Sequence, residues 1–260
     1  MSNSVNIPSW LGVAASIALV LIAIAVSWRD RLGLTRELTV AAIRAFFQLV
    51  AVGALLLVVF EKGGLVAAFV WLTIMVVIAG FVAGRRAPGI PRAVRHSMSA
   101  VAIAVTTTVG TLLAFQVISA EPQVVIPVGG MVVSASMAAS ALSLRRVQDA
   151  AIDHRPQVEA RLSLGLTAVE AFAEEQRSAV RTALIPSIDT TKVVGLISLP
   201  GAMTGLILAG VDPLDAIRYQ IVVMYMLLAA GSLSALFSVR FAQGSLFDDA
   251  DRLVRLSAAP

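Results

Sequence analysis

The sequence predicts an all-α integral membrane protein that crosses the bilayer about seven times, with its N-terminus outside and its C-terminus in the cytoplasm. Of the 260 residues, 58% are hydrophobic and 14% are charged, whereas roughly a quarter of a soluble domain is charged. Apolar runs of about 20 residues recur, and each is long enough to cross a bilayer. Basic residues concentrate in alternate loops between these runs, which is the distribution that orients membrane helices.

Seven apolar runs account for the predicted spans. They cover approximately residues 9–28, 38–60, 65–84, 97–119, 124–144, 193–210 and 215–239. Tryptophans lie near both ends of the first run, as is typical of the membrane interface. The predicted organisation is therefore spans 1–5 within 1–144, a polar segment at 145–191, spans 6 and 7 within 192–240, and a tail at 241–260.

The basic residues set the predicted orientation. Nearly all of the 20 lysines and arginines follow spans 1, 3, 5 and 7, whereas the opposite loops hold only Lys62. The positive-inside rule then places the loops after the odd-numbered spans in the cytoplasm. Since the basic residues are spread over several loops and not gathered in one patch, we expect no nucleic-acid partner.

The polar segment at 145–191 is predicted to contain one amphipathic helix, over about 156–184, that ends at Pro186. Its apolar stripe consists of Leu162, Leu166, Val169, Ala173, Val180 and Leu184. Its polar stripe consists of Glu170, Glu174, Arg177 and Arg181. Within the polar stripe, Glu174 and Arg177 are spaced to form an ion pair.

An apolar stripe outside the membrane has to be covered. The membrane surface, the protein's own loops and a partner protein are the three available covers. A helix that lies on a membrane surface is typically rich in Lys and Arg on its polar face. The mixture of Glu and Arg therefore favours a partner protein.

Polar residues inside predicted spans are the first candidates for a transport path. Arg44 and Gln48 share one face of span 2, and span 7 begins with Arg218, Tyr219 and Gln220. A charged side chain in a span is costly and commonly functional. Alternatively, each arginine lies near a span end and reaches the interface with its long side chain.

Span 6 is the unusual helix of the predicted bundle. It contains Pro200 and three glycines in its middle, Gly195, Gly201 and Gly205, of which the last two form a small-residue face. Membrane helices tolerate such residues where neighbouring helices restore the freed backbone hydrogen bonds. The span is therefore either a weakly packed moving helix or a structural helix with a close-packed face. Met203 offers a thioether to a metal or simply fills the bundle.

Hydroxyl side chains cluster in spans 4 and 5. They are Thr106, Thr107, Thr108, Thr111, Ser134, Ser136, Ser140 and Ser143. Such hydroxyls either bond neighbouring helices together or line a polar path, and we favour the first interpretation.

Several chemistries lack the residues that they require. The chain has no cysteine, and both histidines lie outside the predicted spans. No span contains a lysine for a retinal Schiff base, and no G-x-x-x-x-G-K-[ST] loop is present for ATP hydrolysis. We therefore predict no catalytic residue, no cofactor and no enzymatic activity, and the residues identify no metal site.

Residues 198–220 read SLPGAMTGLILAGVDPLDAIRYQ, which closely resembles the signature of the FetB-type ABC transporter permeases. Residues 42–53 (AIRAFFQLVAVG) and 181–196 (RTALIPSIDTTKVVGL) resemble two further conserved blocks of that family. The family pattern GMMTGQIL differs at Ala202 and Leu206, so this chain lacks one polar side chain there. Bacterial members are linked to iron export, and plant relatives to aluminium tolerance or UDP-glucose.

The resemblance implies a permease that works as a homodimer beside two separate ATP-binding subunits. It also implies that the amphipathic helix is a coupling helix, and we place its ATPase-docking face between Leu166 and Arg181. The docking candidates are Leu166, Val169, Glu170, Ala173, Glu174, Arg177 and Arg181. The transport-path candidates are Arg44, Gln48, Pro200, Met203, Arg218, Tyr219 and Gln220.

The resemblance favours ATP-driven export of a metal ion, iron first, across the inner membrane. One alternative is an organic anion such as a sugar nucleotide, which Arg44 would suit better than a cation. Two others are a stand-alone channel or secondary carrier, which needs no ATPase, and a scaffold that transports nothing.

Overall fold

The computed structural model describes residues 9–59, 63–248 and 250–256. In these residues the chain forms ten α-helices. They are α1 (Trp10–Arg29), α2 (Thr35–Val58), α3 (Gly64–Gly84), α4 (Ala93–Ala114), α5 (Pro122–Asp153), α6 (Arg155–Ser163), α7 (Ala168–Ala171), α8 (Ala173–Val193), α9 (Gly201–Leu208) and α10 (Pro213–Gln243). The predicted all-α class is confirmed.

Six of these helices are long and apolar enough to cross a membrane: α1, α2, α3, α4, α5 and α10. The continuous span predicted over 193–210 is absent from the described residues. In its place α8 ends at Val193, and α9 has only 8 residues. At about 1.5 Å per residue, α9 is far shorter than the roughly 30 Å of hydrocarbon in a bilayer.

The interruption before α9 has a local cause. Gly195 has φ +81°, a left-handed conformation that glycine adopts without steric cost. Its N–H donates to the carbonyl of Ser198 at 3.0 Å, so the chain turns instead of continuing as a helix. Pro200 then starts the next helical turn with no N–H of its own to donate.

The chain divides into two compact units, of which the first contains α1 and α2. These two helices pack against each other as a hairpin. Ser9 begins α1 by accepting a hydrogen bond from the N–H of Gly12 at 3.3 Å. Ser27 is buried between the helices, 3.5 Å from the hydroxyl of Thr35. Most other side chains of the pair are exposed and apolar, which suits a lipid environment.

The second unit is built around α5 and α10, which run parallel. Along both helices, small buried residues face each other, and their hydroxyls form hydrogen bonds across the contact. Ser234 donates to the carbonyl of Ser136 at 2.9 Å, and the hydroxyls of Ser140 and Ser238 lie 2.6 Å apart. The interpretation that the span 5 serines join helices is therefore confirmed at Ser136 and Ser140, whereas Ser134 is exposed.

Helix α8 packs along α5 and α10 in the opposite direction. Ala183 shares a buried cluster with Ala139 and Ala235. One turn further along α8, the Ser187 hydroxyl lies 3.9 Å from where a Cβ on Gly231 would stand. The second half of α8 therefore lies beside parts of α5 and α10 that belong to candidate membrane spans.

The single helix predicted over 156–184 is wrong, because the chain forms α6, α7 and α8 there. Gly165, at φ +88°, separates α6 from α7, and Thr167 and Glu170 form a capping box that starts α7. The predicted end at Pro186 is also wrong. Proline removes one N–H donor from the helix, yet α8 continues past it to Val193.

Helices α3 and α4 approach closely where two glycines face α4. A Cβ on Gly80 would lie 2.5 Å from the Met98 Cα, and one on Gly84 would meet the Val94 backbone at shorter range. The Ser97 hydroxyl also donates to the Gly80 carbonyl. Side chains larger than hydrogen would force the two helices apart.

We predict that Gly84→Ala lowers the free energy of unfolding by about 1–3 kcal/mol, because the new methyl group overlaps backbone atoms that cannot rotate away. Gly110→Ala in α4 is the matched control, since a Cβ there meets nothing within 4 Å. Thermal unfolding in detergent measures both variants. An unchanged Gly84→Ala midpoint would contradict the close contact.

Candidate functional site

The two candidates in α2 lie on the first unit. Arg44 and Gln48 are one turn apart on one helical face, and both are exposed. Arg44 forms no ion pair with any residue that the structure describes. The structure therefore places an unpaired guanidinium on the surface of a candidate membrane span.

The three candidates at the start of α10 differ in their environments. Arg218 is exposed and pairs with Asp215 at 3.1 Å, an arrangement that contributes little to stability. Tyr219 is half-buried against the apolar core of the second unit. Gln220 is buried, and its Oε1 has no hydrogen-bond partner among the described residues.

The Gln220 oxygen matters because a buried acceptor without a partner costs about 1–3 kcal/mol. Native proteins contain few such atoms. In the described part of the chain, the Thr108 hydroxyl in α4 is the other one. The Gln220 oxygen is therefore free to accept a hydrogen bond or to contact a cation.

Thr108 borders a cavity of about 300 Å³ between α4 and α10. Thr107 and Thr111 line it as well, whereas α10 contributes mainly apolar side chains and Tyr225. Thr107, Thr108 and Thr111 therefore face a cavity, in contrast to Ser136 and Ser140, which form hydrogen bonds at a helix contact.

Pro200 and Met203 are both half-buried. The Pro200 carbonyl accepts hydrogen bonds from the N–H and the hydroxyl of Thr204, at 3.0 and 3.1 Å. A Cβ on Gly201 or Gly205 would meet nothing within 4 Å. The close-packed glycine face considered from the sequence is therefore not formed within the described part of this chain.

The predicted docking residues do not share one helix. Leu166 lies between α6 and α7, whereas Val169 and Glu170 lie in α7. The apolar side chains of Leu166 and Val169 are both exposed, that of Val169 at 63%. Glu170 accepts hydrogen bonds from the backbone N–H and the hydroxyl of Thr167, and these bonds lower the pKa of its carboxyl group. Leu164, 81% exposed, extends this apolar patch.

The remaining docking candidates lie on α8. Ala173 is half-buried, and Arg177 and Arg181 are exposed without ion pairs to described residues. The predicted pair of Glu174 and Arg177 is not formed. Glu174 instead binds Arg161 of α6 at 2.6 Å, because the break between α6 and α7 folds α6 back beside α8.

Sequence analysis missed the ionic network that holds α6 to α8. Arg161 donates to the buried carboxylate of Glu175 at 2.8 Å and to the carbonyl of Ala171 at 2.9 Å. His154 Nδ1 lies 3.7 Å from the same carboxylate. The available signal was the spacing of Phe172, Glu175 and Ala179, which are buried on one side of α8 and of the residue that precedes it.

No group of three or more His, Cys, Asp or Glu side chains that could hold a metal ion occurs among residues 9–59, 63–248 and 250–256. The Arg161–Glu175 network contains one histidine and one buried carboxylate, together with a guanidinium that neutralises the carboxylate. Its geometry is that of a structural contact between helices.

Comparison with known proteins identifies relatives along almost the whole chain. The model of the uncharacterised protein family UPF0014 matches residues 10–247. The "UPF0014 membrane protein STAR2" of Oryza sativa subsp. japonica is 37% identical over 239 residues, which are 92% of this chain and 84% of the relative. No solved structure gives a significant match.

Two further relatives have descriptive names. The "Probable iron export permease protein FetB" of Escherichia coli is 34% identical over 252 residues, 97% of each chain. "Protein ALUMINUM SENSITIVE 3" of Arabidopsis thaliana is 34% identical over 243 residues, 92% of this chain and 88% of the relative. Together with the six apolar helices, these matches establish a multi-pass membrane protein.

We predict that Glu175→Ala lowers the free energy of unfolding by about 1–3 kcal/mol, because it leaves Arg161 without its buried partner. The neighbouring Glu174→Ala removes an exposed partner of the same arginine and should change stability by less than about 1 kcal/mol. Denaturant unfolding in detergent compares the two. If both variants lost the same free energy of unfolding, burial of the Glu175 carboxylate would not make its contact with Arg161 stronger than that of Glu174.

Proposed function

Since this chain belongs to the UPF0014 family, we propose that it is the permease subunit of an ABC transporter in the inner membrane. A separate subunit binds and hydrolyses ATP, and two copies of the permease form the transport unit. The observation that carries the proposal is the end-to-end match to a relative named as an iron export permease. We propose the same class of substrate, a metal ion exported at the expense of ATP.

The proposed orientation places the C-terminal ends of α5 and α10 in the cytoplasm, as the positive-inside rule predicts. Because α5 and α10 run parallel, the chain has to return across the membrane between them. We assign this return to the second half of α8, the turn at Gly195 and α9. This gives seven crossings, of which the sixth is a broken helix that begins before Thr191.

Labelling of single cysteines tests this topology, because the chain has no cysteine of its own. In intact cells, Asp215→Cys should react with a membrane-impermeant maleimide. Arg177→Cys should react only after the membrane is permeabilised. Ser187→Cys should react weakly in both intact and permeabilised cells. Labelling of Arg177→Cys from outside would overturn the orientation, and strong labelling of Ser187→Cys would overturn the assignment of α8.

The exposed patch of Leu164, Leu166 and Val169 is the proposed ATPase-docking surface. It is apolar, lies outside the candidate spans and has charged residues beside it, as expected of a protein interface. Phe172, one turn beyond the patch, is fully buried against the ends of α5 and α10. A movement of the patch is therefore passed to the two central helices through close packing.

Gln220 is the proposed contact for the substrate, because its buried oxygen has no partner in the described residues. An organic anion is the second candidate substrate, and the exposed, unpaired Arg44 favours it. The two substrates require opposite chemistry, since a metal ion binds oxygen atoms whereas an anion binds the guanidinium.

We predict that ferrous iron stimulates ATP hydrolysis by the permease reconstituted in liposomes with its ATPase, and that a sugar nucleotide does not. Gln220→Leu should abolish the stimulation while the basal hydrolysis remains, because the variant removes the amide oxygen together with the amide nitrogen but keeps a side chain of similar size. Stimulation by the sugar nucleotide alone, lost in Arg44→Ala, would replace the metal proposal with the anion proposal.

The same assembly tests the docking surface. Val169→Glu should weaken ATPase binding at least tenfold, because a charge at the centre of an apolar interface is left unpaired. Gln157→Glu is the control, since it adds the same charge at an exposed position on α6. Substrate transport in liposomes that contain the permease without its ATPase would favour a stand-alone channel or secondary carrier.

A further inference from the structure

A basic pocket lies at the first turn of α4, beside the end of α10. Its volume is about 300 Å³, and it is lined by Arg92, Arg95, His96, Ser99 and Phe241. None of the lining residues is acidic. Nothing in the proposed transport cycle uses this pocket, which is distant in sequence from every docking and transport-path candidate.

The charges in the pocket are not neutralised by the chain itself. Arg92 and Arg95 are exposed, and neither forms an ion pair with a residue that the structure describes. The His96 ring is held in place, since its Nε2 lies 2.6 Å from the hydroxyl of Ser245. Two free guanidinium groups, a fixed imidazole and the Ser99 hydroxyl therefore face one space.

This set of groups matches a phosphate. Arginine binds phosphate oxygens through two parallel hydrogen bonds, and it remains charged at any physiological pH. The Ser99 hydroxyl supplies a further donor around the same anion. The His96 ring already has partners in Ser245 and the Pro91 backbone and forms a fixed wall. Phe241 gives the remaining wall an apolar character, which a purely inorganic anion would not require.

The position of the pocket identifies the source of the phosphate. Ala93, directly after Arg92, is the first residue of a candidate membrane span, and Phe241 lies near the end of another. Lipid headgroups occupy this level of a bilayer, and basic pockets between membrane helices bind anionic headgroups. We propose that Arg92, Arg95 and Ser99 bind the phosphodiester headgroup of an anionic phospholipid beside the fixed His96 ring, with Phe241 against its glycerol or acyl chains.

Native mass spectrometry of the purified chain tests the proposal with phosphatidylglycerol as the probe and phosphatidylcholine as the neutral comparison. The wild-type chain should retain phosphatidylglycerol preferentially. The double variant Arg92→Gln, Arg95→Gln should weaken that retention by about tenfold or more, as expected for the loss of two arginines at a membrane surface. Arg85→Gln, Arg86→Gln is the matched control, because it removes the same charge from exposed positions outside the pocket.

A second variant keeps the charge but fills the space. Ser99→Trp should reduce phosphatidylglycerol retention as the double variant does, and its exposed position makes the change compatible with folding. Equal losses in the pocket variant and the matched control would overturn the site, because general surface charge would then explain binding. Equal retention of both lipids by the wild-type chain would also overturn it.

Competition with soluble anions distinguishes a lipid headgroup from a free phosphate as the ligand. Inorganic phosphate and glycerol 3-phosphate should displace phosphatidylglycerol only weakly, since neither supplies the apolar contact with Phe241. If inorganic phosphate binds the pocket and phosphatidylglycerol does not, the ligand is a free anion and the lipid proposal is wrong.

Discussion

Small residues bring α5 and α10 so close that serine hydroxyls form hydrogen bonds directly from one helix to the other. In a membrane no hydrophobic force drives helices together, so close packing and hydrogen bonds have to do so. Ser136, Ser140, Ser234 and Ser238 are all fully buried at this contact. The positions of α4 and α8 follow from it, because both helices pack against the α5–α10 pair.

The parallel direction of this pair constrains the connection between them. Two parallel helices cannot be joined by a tight turn, so the intervening residues have to travel back along the pair. In this chain α8 supplies part of that path, and Ala183 and Ser187 fit against Ala139 and Gly231 because all four are small. The irregular backbone around Gly195 lies on this return path, where a continuous apolar helix was expected.

The fold class and six of the seven predicted spans could be derived from the sequence, because the length and hydropathy of a membrane helix are set by the bilayer and not by tertiary contacts. The break at Gly165 could not, since the apolar periodicity continues across it. The ion pair of Glu174 was misassigned for a related reason: spacing reveals partners on one helix, whereas Arg161 is brought near by a turn. Exposure of Arg44 and burial of Gln220 likewise depend on packing that no local pattern specifies.

The central helices are longer than a bilayer is thick. At about 1.5 Å per residue, the 32 residues of α5 and the 31 of α10 extend about 45–48 Å, so roughly 15 Å of each lies outside a 30 Å hydrocarbon layer. No proline interrupts α5 after Pro127 or α10 after Pro213. Because each helix is uninterrupted along this length, a tilt imposed on the part outside the bilayer also tilts the part inside it.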